Sequence, residues 1–129
     1  MSLHETDLRD APASVDWAHL SHQTAGDTEL AKELLTLFVG QAREIARRLA
    51  GAGDDKSRRD LAHTLKGSAL AIGAFDVARA AETCETSLAK GESLRLDALE
   101  HALMDALEAI ATRLASIGDG SPRATPSVL

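Results

Sequence analysis

Apolar residues recur at helical spacing along most of the chain, and no segment alternates with a period of two. Leu30, Leu34, Leu37, Phe38, Ile45 and Leu49 follow one another at the spacing of a helix face, from an N-cap at Asp27 to the glycines at 51 and 53. A helix from about Ser57 to Ile72 carries Leu61, Leu65, Ser68 and Ile72 as its inner stripe, with Gly73 closing it. Val77, Ala81, Cys84 and Leu88 mark the next helix, ending near Gly91. The last helix is marked by Leu96, Leu99, Leu103, Leu107, Ile110, Leu114 and Ile117. Ahead of these, Asp16 can cap a short helix with Trp17 and Leu20.

Four long amphipathic helices joined by short turns bury their stripes against one another, and short connections make sequence neighbours antiparallel. The pattern predicts an all-α fold: an antiparallel up-down-up-down four-helix bundle, with the short N-terminal helix capping one end through Trp17. The bundle is expected over residues 15–117. Residues 1–14 carry mixed charge and Pro12 without periodicity and are expected as a mobile arm. Residues 118–129 (GDGSPRATPSVL) hold two glycines and two prolines and are expected as a disordered tail.

Composition agrees. Alanine (24) and leucine (19) supply a third of the 129 residues, and tyrosine is absent. These are the best helix formers, whereas strands favour β-branched and aromatic side chains. The net charge of −6 disfavours general nucleic-acid binding, which needs a basic face. A single cysteine, Cys84, leaves no internal disulfide to form, which suits a reducing compartment. No apolar run approaches the ~20 residues that span a bilayer. The amino terminus also lacks a secretory pattern. A soluble cytoplasmic protein is expected.

One histidine stands on the wrong face of its helix. With Leu61 as the origin, a turn of about 100° per residue puts Leu65, Ser68 and Ile72 within about 40° of it. On the same wheel His63 falls at about 200°, Leu70 at about 180° and Arg59 at about 160°. Lys66 falls at about 140° and Gly67 at about 240°. The side chain four residues after a helical residue leans over it. Glycine at 67 therefore leaves the imidazole uncovered, although glycine in mid-helix costs about 1 kcal/mol relative to alanine. Between Lys56 and Lys66 lie four basic residues (Lys56, Arg58, Arg59, Lys66) and one acidic, Asp60. A nucleophilic imidazole beside an ammonium suits phosphoryl capture, which needs positioning and charge neutralisation more than an elaborate active site.

The run His63-Thr-Leu-Lys66-Gly67-Ser68-Ala-Leu-Ala-Ile-Gly73-Ala74 resembles the signature of histidine-containing phosphotransfer (HPt) domains of two-component phosphorelays. Asp27-Thr-Glu-Leu, the leucine-rich helix with Phe38, and Val77-Ala78 are similar to that family as well. The resemblance implies a helical bundle whose His63 takes a phosphoryl group from the aspartyl phosphate of one response-regulator receiver domain. His63 would then pass the group to the aspartate of another receiver. It implies a phosphocarrier without ATP-dependent kinase activity, with receiver domains and a hybrid histidine kinase as partners. The Mg²⁺ would belong to the receiver, and this chain would hold no cofactor. Arg59 and Leu70 would lie on the docking surface. Family members place a glutamine twenty-two residues after the histidine, hydrogen-bonded to the imidazole. Here that position is Glu85, a candidate for the same bond.

Other readings compete. The same signature fits the phosphoacceptor module of a chemotaxis-type histidine kinase, although no strands are present on which to build an ATP-binding domain. A helical adaptor with an incidental histidine is the non-enzymatic alternative. His19 and His22 could share a metal, but no further ligand stands nearby. Ser68 and Ala69 suit packing, Cys84 a buried thiol, and Glu82, Arg79 and His101 a solvated surface. A monomer is expected.

Overall fold

The computed structural model describes residues 14–51 and 53–120. Among the described residues five helices form, in chain order: α1 (Trp17–Gln23), α2 (Thr28–Ala50), α3 (Asp55–Ile72), α4 (Phe75–Ala89) and α5 (Asp97–Gly120). The fold is all-α, as the periodicity predicts. Three of the starts are fixed by aspartates. Asp16 accepts from His19 N at 3.0 Å, Asp27 from Leu30 N at 3.0 Å, and Asp54 from Ser57 N at 2.7 Å. The last helix runs to Gly120, three residues beyond the Ile117 boundary and into the segment expected as tail. That stretch is Gly118-Asp119-Gly120, and its two glycines do not stop the helix. The expected arm up to residue 13 and the tail from residue 121 lie outside the described residues.

α2, α3, α4 and α5 pack as a bundle in which neighbours in sequence are neighbours in space, and α5 returns to α2. Contacts across the turns show the antiparallel register. The Arg58 guanidinium donates to the carbonyls of Leu49 and Gly51 at 3.0 and 3.1 Å, which satisfies the end of α2. Further from that turn, Ser68 Oγ donates to Gln41 Oε1 at 2.6 Å.

The core holds Leu35, Phe38, Ala42, Ile45 and Leu49 of α2, and Ala62, Leu65, Ala69 and Ile72 of α3. It continues with Val77, Ala78, Ala81, Cys84 and Leu88 of α4, and Leu99, Leu103, Ala106 and Ile110 of α5. The α4 stripe matches expectation. Two stripes are rotated from it. On α3, Ala62 and Ala69 take the fully buried positions, while Leu61 and Ser68 are only half-buried. On α2, Leu35 is fully buried, whereas Leu30 and Leu37 face outward. On α3 the reason is close packing. Where two helices approach, alanine fits the narrow gap, and the bulkier leucine is turned toward the rim.

The α3–α4 turn is built around Gly73. Its φ of +90° is left-handed, and the N–H groups of Gly73 and Ala74 both return to Ala69 O, at 3.0 and 2.8 Å. The chain entering α1 lies against this turn, with Asp16 N donating to Gly73 O at 2.9 Å. A Cβ at Gly73 would stand 2.8 Å from Asp16 O, so position 73 requires glycine for space as well as for φ. His19 of α1 donates through Nε2 to Leu70 O at 3.0 Å, and its ring meets Phe75 edge-on at 5.1 Å. Trp17 is half-buried, and the Arg113 guanidinium of α5 lies 4.7 Å from its ring centre. The short helix therefore closes this end of the bundle.

Candidate functional site

The outer face of α3 presents His63. Its side chain is 67% exposed, so the ring is neither among the leucines nor roofed by another segment. It stays exposed because Leu65 and Ala69, both fully buried, anchor the opposite face of the helix. A Cβ built at Gly67 meets no heavy atom within 4 Å, so the space over the ring, one turn on, is open.

α4 supplies the orienting group. Glu85 Oε2 lies 2.9 Å from His63 Nδ1. A carboxylate only accepts, so Nδ1 carries the proton and donates. The lone pair is thereby left on Nε2, the nitrogen farther from α4. Lys66 Nζ stands 3.5 Å from the other oxygen, Glu85 Oε1. The three side chains form one row: imidazole, carboxylate, ammonium. Glu85 and Lys66 are each about a quarter exposed, so this row sits at a dry margin rather than in open water.

The basic patch expected around the histidine is partly committed elsewhere. Lys56 pairs with Asp60 at 3.0 Å, and Arg58 holds the end of α2. Arg59 is half-buried and has no ion-pair partner among the described residues. Lys66 is the basic side chain that joins the row. Leu70 is 45% exposed and forms one wall of a groove of about 280 Å³ between α3 and α4, lined also by Lys66, Phe75, Ala78, Arg79 and Glu82.

α2 contributes a face that the sequence pattern assigned to the core. Leu37 is 63% exposed, and Gly40 is a second mid-helix glycine whose absent Cβ would meet nothing within 4 Å. Gln41, next to Gly40, is bonded to Ser68, next to Gly67. Two bare glycines thus flank one interhelical hydrogen bond. The signal in the sequence was Gly40 itself, since a glycine inside a long helix has no propensity reason to be there. Elsewhere, burial pushes the Cys84 thiol above its ordinary value, as expected of a core cysteine.

The model of the Hpt domain family matches residues 33–116, more than half of the chain and all of the row just described. This chain belongs to the Hpt family. The crystal structure of the histidine phosphotransferase ShpA from Caulobacter crescentus is similar to it at 35% identity, with a TM-score of 0.70 over 84% of this chain and 98% of that one. No curated protein matches the chain. Hpt domains work with the receiver and kinase partners of two-component systems, and the chain is a phosphorelay intermediate. Neither the comparisons nor the fold favours the kinase-module or adaptor readings. Among the described residues no helix is long and apolar enough to cross a membrane.

Proposed function

We propose that His63 Nε2 is the atom that accepts and returns the phosphoryl group. The observation that carries this is the bond from Nδ1–H to Glu85, which leaves the nucleophilic lone pair on the exposed side of the ring. In the acceptor step the Nε2 lone pair attacks phosphorus and the N–P bond forms. The bond from phosphorus to the receiver's aspartyl oxygen breaks, and that carboxylate leaves with the electron pair. Positive charge develops on the ring and is met by the Glu85 carboxylate, while Lys66 can turn to the phosphoryl oxygens. Onward transfer is the reverse sequence toward a second aspartate. The Mg²⁺ that assists belongs to the receiver's site, and this chain supplies the imidazole and its charges.

The receiver docks, in this reading, on the outer face of α2 and α3. Leu37 and Leu70 supply apolar contact, Gly40 and Gly67 permit close approach, and Arg59 offers a cation for the receiver's acidic site. The phosphoryl donor is a hybrid histidine kinase acting through its receiver, the setting is the cytoplasm, and the chain acts as a monomer.

Incubation with a phosphorylated receiver should label the wild-type protein and leave His63→Gln unlabelled at unchanged melting temperature. Labelling of the variant at the wild-type level would refute the assignment.

A further inference from the structure

Glu85 turns its two oxygens to different groups. Oε2 accepts from His63 Nδ1–H at 2.9 Å. Oε1 is buried, has no hydrogen-bond partner among the described residues, and has only the Lys66 ammonium at 3.5 Å. Before transfer, one carboxylate therefore holds both the ring and the cation that phosphoryl oxygens would draw upon.

A carboxylate differs from an amide of the same shape because it can only accept, whereas glutamine can also donate. The difference matters after transfer. The N–P bond uses the Nε2 lone pair, so the ring either keeps the Nδ1 proton and remains a cation, or releases it and presents a lone pair at Nδ1. Toward that lone pair a glutamine would turn its NH₂ group. Glu85 meets it with negative charge, so the ring is held in the cationic form, from which phosphorus departs most readily. Turning Lys66 to the phosphoryl group also leaves Oε1 buried without a partner, which carries its own cost.

We propose that Glu85 holds phosphorylated His63 in its labile, protonated form, so that the protein surrenders its phosphoryl group readily instead of storing it. This rests on the reading of His63 as the acceptor. On release, the N–P bond breaks and its pair returns to Nε2. The phosphoryl group passes to an aspartate oxygen of the receiver. Lys66 returns to Oε1, and a ring that has kept its Nδ1 proton exchanges none with solvent.

The test compares wild type with Glu85→Gln at one pH and ionic strength. The full chain is phosphorylated with phosphoramidate, freed of donor, and left to decay. The amide keeps an acceptor oxygen for Nδ1–H, and a ¹⁵N spectrum of the unphosphorylated variant should still show that proton. Removing a unit charge a few ångströms away should raise the phosphohistidine half-life about three- to tenfold. A purely structural role for Glu85 would leave the half-life unchanged or shorten it. Equal or lower values in Glu85→Gln overturn the inference and leave the relay assignment standing. Failure of the wild type to carry any phosphoryl group on His63 overturns both.

Discussion

Gly67 offers a case in which stability and function should move in opposite directions. It lies inside α3, one turn past His63 and well clear of either helix end. Its absent Cβ would meet nothing within 4 Å. Replacement by alanine therefore brings no clash, and the gain is the intrinsic helix preference, about 1 kcal/mol. For a domain of this size that corresponds to a rise of about 4 °C in melting temperature. Phosphoryl transfer reads the same change differently. A side chain at 67 leans back toward residue 63, over the ring. Reacting atoms must come within about 3–3.5 Å and in line, and a misplacement of about 1 Å costs about 10²-fold. Gly67→Gln should therefore fold normally and transfer about 10²-fold more slowly, while Gly67→Ala should melt higher and transfer with a smaller loss. Stopped phosphotransfer from a labelled receiver and thermal unfolding by circular dichroism measure the two. Wild-type transfer by Gly67→Gln, or a lower melting temperature for Gly67→Ala, would refute the reasoning.

Three further outcomes follow from other parts of the structure. Gly73→Ala should destabilise the fold by about 1–3 kcal/mol, because a non-glycine residue is strained at φ +90° and its Cβ meets Asp16 O at 2.8 Å; denaturant titration checks this, and an unchanged midpoint would contradict it. Leu37→Ala and Leu70→Ala, at 63% and 45% exposure, should leave stability within about 0.5 kcal/mol and weaken receiver affinity about tenfold; calorimetric titration distinguishes this from scattered surface leucines of no consequence. The bonds from Ser57 to Asp54 hold that carboxyl below its ordinary value, so its contribution is present above the unfolded-state value and is lost as pH falls through the lower folded one. Melting curves below about pH 4 should thus fall more steeply for wild type than for Asp54→Asn, and parallel curves would count against it.

The parts of the molecule legible in the sequence are those fixed by one helix at a time. Asp16, Asp27 and Gly73 signal helix ends through groups a few residues away, and each is used as expected. His63 was legible for the same reason, since its angle from Leu65 depends only on the helical turn. What was not legible needed a second helix. Whether Leu61 or Ala62 faces the centre depends on how closely α3 approaches its neighbours, and close approach selected the alanines. Leu37 follows the apolar spacing of α2 yet faces outward, because Leu35 and Phe38 already fill the core beside it. The same limit applies to charge. Four basic residues counted along α3 suggested a positive patch, but Arg58 is drawn off by carbonyls of α2 and Lys66 by a carboxylate of α4. The site's electrostatics are therefore those of an imidazole–carboxylate–ammonium row, and no property of α3 alone would have distinguished that row from a cationic cradle. The distinction decides the chemistry: a cradle of fixed cations would hold a phosphoryl group, whereas a row whose one cation is already shared can let it go.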